Sequence, residues 1–445
     1  MTRCASDADP RAAAVLIDVL RRMGGTRRVA RALDLRKISR RAATALVLAG
    51  ACASCSSLWG IDELSYDATG SGAVGGATAS GAGGSTGGAS TGGGGLGGTG
   101  GTTTTTSTGT AGAKPFVEAD YGFRQPIHIG TGGSSPPAGY SLALSLDHAA
   151  LVVAGHALAS GNDMRIVRKL GGALIELDRV LDPACLWDAT PTVLWFRTVD
   201  AIAANGADDT YYLYFGNPGA VDPPADPAAV YEVWDPFDGQ SLDPAWTFST
   251  IGQASGSVEM LGGTVRLHGS TGTIYYSADD FVFLHRDLAG DFRAETRIIA
   301  RGGTPVQHAV LGGVMVRASL APGSRHRTIG PVEASYARMS VYRLTDSTAA
   351  DYVSNYGSHV LPEVEAVVRL GSVTRTQHSA DDLTWVTLGT DQTFAQPVAD
   401  PVLVGIPFST DSGGDGWVDI DWFRARKVVD PEPTVTLGSV ETGPF

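Results

Sequence analysis

The chain has 445 residues, enough for two or three domains with their own cores, and its 43% hydrophobic and 18% charged residues are a globular composition. Net charge is −13, and because residues 1–51 hold 11 Lys/Arg against 4 Asp/Glu, the remainder stands at −20. A chain that acidic repels phosphate backbones, which excludes sequence-independent nucleic-acid binding, and with only Cys185 in the globular part no disulfide framework forms there.

From Met23 the chain reads "MGGTRRVARALDLRKISRRAATALVLAGACASC", a basic region, an apolar stretch from Ala42 to Ala51 and small residues before a cysteine. This is the layout of a secretory signal, and its apolar stretch is half the roughly 20 residues that a membrane span needs. Residues 1–22 extend a signal already complete from Met23, which makes Met23 an alternative start. The segment resembles a bacterial lipoprotein signal over residues 1–51. That resemblance implies cleavage before Cys52, a lipid anchor on it and, since Ala53 and not aspartate follows, an outer-membrane destination; Cys55 is the alternative attachment point.

Residues 52–113 read as a tether. The stretch 68–113 has no charge, aromatic residue or proline, so it buries too little apolar surface to offset the entropy of ordering it. A Gly/Ser/Thr coil of that length spans about 35–40 Å.

After Lys114 the pattern changes to short alternating runs, "YSLALSLD", "DMRIVRK", "TVLWFRTVD" and "TYYLYFGN", separated by turn residues. Long amphipathic helical patterns are absent, so 114–231 reads as an antiparallel β-sandwich. The order "YGFRQPIHI", "NDMRIV", "VLWFRTV", "TYYLYFGNPGA" resembles the bacterial domain of unknown function 2341, a module of exported multidomain proteins with no assigned chemistry. Cys185, among apolar neighbours in "LDPACLWDA", reads as a buried small hydrophobe.

Residues 232–428 open with "VWDPFDGQSLDPAWTF", close with "GWVDIDWFRARKVV" and hold about ten strand-like runs between. They resemble concanavalin A-like, laminin-G-like jelly rolls, and residues 429–445 read as a C-terminal tail. The expected class is therefore all-β, two consecutive antiparallel β-sandwiches, the second a jelly roll. In "HSADDLTW" an Asp turn is expected to seat Trp385 against its sheet.

Chemistry is sparse. Glycosidases of this architecture need acids at i, i+2 and i+4 of one strand; Glu363 and Glu365, like Asp419 and Asp421, stop at two. The nine histidines are scattered without metal-ligand spacing. Oxygen ligands for calcium are denser in "STDSGGDGWVDIDW", and the jelly-roll resemblance implies a structural Ca²⁺ held by Asp238 and Asp421. Sugar recognition needs aromatic faces beside hydrogen-bonding groups; Tyr352, Tyr356 and Trp417 have the polar and glycine-rich neighbours for it, with Tyr336, Tyr342 and Trp385 as further loop or edge aromatics. The expected function is binding of carbohydrate or another extracellular ligand without catalysis, with no catalytic residue assigned. Adhesion through surface-protein partners and glycoside hydrolysis are the alternatives.

Overall fold

A computed structural model describes residues 116–445 apart from 271, 305–309, 311, 333–335, 357–359 and 412–413. The signal, Cys52, Cys55 and the Gly/Thr-rich tract lie outside the described residues.

The first sandwich begins with strands β1 (Phe123–Gly130), β2 (Ser141–Leu146), β3 (Arg165–Leu170), β4 (Ala173–Leu177), β5 (Val180–Leu181), β6 (Thr192–Arg197) and β7 (Ala207–Phe215). Alternation dictates its faces: in β2, Leu142, Leu144 and Leu146 turn inward and meet Ile127 and Ile129 of β1 and Leu194 and Phe196 of β6. Each such fully buried side chain contributes about 1.5–3 kcal/mol. Cys185 is buried and free, and burial pushes its thiol pKa up, in keeping with a packing role.

The jelly roll supplies β8 (Val233–Asp235), β9 (Thr247–Ile251), β10 (Ser255–Met260), β11 (Val265–Ser270), β12 (Phe281–Leu288), β13 (Phe292–Gly303), β14 (Val314–Arg317), β15 (His326–Pro331) and β16 (Tyr336–Arg343). It continues with β17 (Asp351–Tyr356), β18 (Glu363–Leu370), β19 (Val373–Ser379), β20 (Val386–Thr387), β21 (Gln392–Thr393), β22 (Val402–Phe408) and β23 (Asp415–Lys427). One antiparallel sheet runs β10-β11-β23-β13-β18-β19-β20, with β8 on β23 and β21 on β19; the other runs β17-β16-β15-β14-β22-β12-β9. Between them lie Val265, Leu267, Val282, Leu284, Val316, Val404, Val418 and Phe423, all essentially inaccessible. The chain is thus all-β.

Residues 429–445 are not a tail. They form β24 (Thr434–Leu437) and β25 (Glu441–Thr442), which pair antiparallel with β1, Ile127 opposite Leu437 and Phe123 opposite Thr442. The first sheet is therefore β24-β1-β7-β3-β4, and the two sandwiches are not simply consecutive: the jelly roll is inserted between β7 and β24.

The crossing between them is polar and aromatic. Arg424 of β23, almost inaccessible, donates from Nη1 to Asp182 of the first sandwich at 3.1 Å, from Nη2 to Asp382 at 2.9 Å and from Nε to Glu295. The Trp195 indole donates to Asp182 at 2.8 Å, and the Tyr231, Trp234 and Trp422 rings stack in series at 5.6 and 5.9 Å. Burial opposes ionisation of Glu295, yet Arg424, Arg293 and Arg426 outweigh it and hold its carboxyl at about 2; for Asp382, burial prevails over Arg424 and raises it to about 8.

Candidate functional site

The loop from β11 to β12 folds over the outer face of the β17–β9 sheet. Ile274, 2% exposed, anchors it among Phe281, Phe283, Met315, Met339 and Val341. Gly272 allows the turn, because its φ is +110° and a Cβ there would stand 2.1 Å from the Asp280 carbonyl oxygen. The loop's far end is clamped by Asp279, which is inaccessible and accepts from Arg317 Nη1 at 2.6 Å and from Arg343 Nη1 and Nη2 at 2.7 and 2.6 Å. Burial opposes ionisation of Asp279, but His326, Arg343 and Arg317 hold it below its usual range. Arg343 also donates to the Tyr276 carbonyl, and the Ala350 N–H donates to the Tyr275 carbonyl at 3.1 Å.

Buried charge thus fixes a loop whose aromatic side chains stay at the surface: Tyr275 is 37% and Tyr276 64% exposed. Strand β17 brings Tyr352 beneath them, outward from the sheet, while Val353 packs into the core between the sheets. The Tyr275 ring lies 5.6 Å from both the Tyr276 and the Tyr352 rings, at interplanar angles of 68° and 66°. Together with Thr273, Met339 and Asp411 the three tyrosines line a pocket of about 200 Å³. Three aromatic rings thus share one lining with a threonine and an aspartate.

Among the described side chains of the sequence candidates, Tyr352 lines this pocket. The Tyr356 side chain lies outside the described residues, although its backbone ends β17 opposite Tyr336. Trp417 stands on the opposite sheet, outward of the core residue Val418, under the Arg266 guanidinium at 4.0 Å; the structure does not bring it to Tyr352. Tyr275 and Tyr276, adjacent in "GTIYYSADD", are not among the sequence candidates, because nothing local in the sequence marks them as exposed.

Asp421 is ion-paired with Arg297, and Asp238 is exposed in the turn after β8. Among the described residues no group of three or more His, Cys, Asp or Glu is placed to hold a metal ion. The acid pairs are engaged too. Glu363 and Glu365 turn into the sandwich, where they share Arg338 and burial raises both pKa values, while Asp419 accepts from Arg266 at 2.6 and 2.8 Å. In the Asp turn, Asp381 accepts from the Leu383 and Thr384 N–H groups at 3.0 and 2.6 Å, and Trp385 stacks 3.9 Å from the Arg293 guanidinium.

No protein-family model and no curated protein matches the chain. Among solved structures, a functionally unknown protein from Saccharomyces cerevisiae aligns at 22% identity and TM-score 0.34, over 42% of this chain and 97% of that one. A Bacteroides ovatus xyloglucan PUL GH43B aligns at 17% and 0.35 over 59% of this chain and 50% of its own length. The exoplasmic/lumenal domain of VIP36 in Ca²⁺/Man-bound form aligns at 15% and 0.30, over 45% and 94%. At such low identities and TM-scores, function rests on the chain's own side chains.

Proposed function

We propose that this chain is an exported, lipid-anchored protein of the bacterial outer membrane that binds carbohydrate without catalysis, through the pocket of Tyr275, Tyr276 and Tyr352. The observation that carries the reading is the placement of three tyrosines around one pocket by a loop clamped on a buried Asp279–Arg317–Arg343 cluster. A rigid aromatic site loses little conformational entropy on binding. The pairing of Asp419 with Arg266 and of Asp421 with Arg297 supports binding over hydrolysis. Anchoring at Cys52 and the tether 52–113 complete the reading, the tether holding the sandwiches off the membrane.

A glycan array probed with the full chain in detergent tests the binding claim. Retention on neutral polysaccharides that Tyr276→Ala weakens is expected; silence across the array sinks it. Mass spectrometry of the mature N-terminus tests the anchor, which predicts an acylated Cys52 and is overturned by an unmodified Met1 or Met23.

A further inference from the structure

The Tyr275 ring is inclined at 68° to the Tyr276 ring and at 66° to the Tyr352 ring, with 5.6 Å between centroids in both pairs. Rings set at such angles form no single flat platform for one face of a pyranose. They enclose a compact group from more than one side. An aromatic ring carries a quadrupole with a negative face, so several rings around one space favour a cation there. Met339, 2% exposed, also lines the pocket, and its thioether adds polarisable apolar surface.

The charge of the lining has the matching sign. Among the described residues it holds one carboxylate, Asp411, and no lysine, arginine or histidine. Arg317 and Arg343, which clamp the loop, are inaccessible and give their donors to Asp279 and to backbone carbonyls, so they stay out of the lining. Asp411 lies between β22 and β23 at φ +60°, and Thr410 beside it is inaccessible, its Oγ1 donating to the Gly414 carbonyl at 3.1 Å. At about 200 Å³ the pocket is smaller than the roughly 300–1,000 Å³ of drug-sized sites, a size for one sugar residue or its substituent.

We infer that the ligand of this pocket is an amino sugar whose free ammonium group enters the space among the three tyrosines beside Asp411, an inference that rests on the carbohydrate reading of the same site. A neutral sugar presents a hydroxyl or an acetamide there and forgoes both the cation–π attraction and the charge-assisted bond. An anionic sugar meets the Asp411 carboxylate with like charge.

The test is calorimetric titration of the full chain, in weakly acidic buffer that keeps sugar amines protonated, with three β-1,4-linked hexamers: hexaglucosamine, its N-acetylated form and cellohexaose. They share a backbone and differ only at carbon 2, as ammonium, acetamide or hydroxyl. Hexaglucosamine is expected to bind at least about tenfold more tightly than either of the others. Asp411→Asn removes the charge and keeps a residue that tolerates a left-handed φ; it is expected to reduce that preference to about threefold or less. Tyr276→Ala is expected to weaken hexaglucosamine about tenfold. Hexalysine, with comparable charge and no sugar ring, should not displace the hexamer, which separates the pocket from the attraction of an acidic chain for any polycation. Equal or tighter binding of cellohexaose or of the acetylated hexamer overturns the inference and leaves the carbohydrate reading standing. So does displacement by hexalysine, or hexaglucosamine binding indifferent to Asp411→Asn or Tyr276→Ala. Binding of none of the three hexamers, with silence on the neutral array, sinks both.

Discussion

Arg424 on the last strand of the jelly roll donates to Asp182 of the first sandwich at 3.1 Å, in a site where both side chains are almost inaccessible. Removing the guanidinium leaves Glu295 and Asp182 buried without their main counter-charge, which costs about 3–5 kcal/mol for a broken buried pair. Arg424→Met is expected to lower stability by that much in urea denaturation. A loss below about 1 kcal/mol would mean that the network is solvated and does not join the sandwiches.

The same network predicts a pH dependence. Asp382 faces Arg424, Glu295, Asp182 and Arg293, and its folded pKa of about 8 exceeds the ordinary 3.8. A raised carboxyl contributes stability that is full below the unfolded value and is lost as pH rises through the folded one. Stability therefore declines between about pH 4 and 8 through this group, and Asp382→Asn flattens the slope. Glu295, held at about 2, acts in reverse, its contribution lost only as pH falls below the ordinary 4.5 toward 2. Denaturation midpoints across pH 3 to 9 for the wild type and Asp382→Asn check both signs.

A chain ending at Val428 loses β24 and β25, bares the β1 edge and removes Val435 and Leu437 from the first core. It is expected to aggregate or to lose cooperative unfolding by circular dichroism. A soluble, cooperatively folding product would show that the returning strands are dispensable.

Arg297 supplies Asp421 with the positive charge that a calcium ion would otherwise bring. A ligand that binds only the folded state raises Tm by mass action. Calcium and EDTA are accordingly expected to leave Tm where it is, and a calcium-dependent rise would support Asp238 and Asp421 as ligands.

The all-β class was legible because runs such as "SLALSL" carry period-two alternation that only a half-buried strand uses. The closing strand was not: "TVTL" is four residues between Pro433 and Gly438, and its pairing with β1 joins positions some 300 residues apart. Tyr352 could be picked out by its polar neighbours Asp351, Ser354 and Asn355. Tyr275 and Tyr276 could not, since their exposure depends on Asp279 meeting Arg317 and Arg343, 38 and 64 residues away. Trp417 looked equally suitable, and only strand parity on the opposite sheet turns it under Arg266.

The central claim, a tyrosine-built sugar pocket, is tested most directly at Tyr276, which is 64% exposed and can be removed without touching the core. Calorimetric titration of the full chain with the neutral glycan retained on the array should show affinity about tenfold weaker in Tyr276→Ala, about 1.4 kcal/mol, at unchanged Tm. Equal affinity in the two proteins would contradict the account.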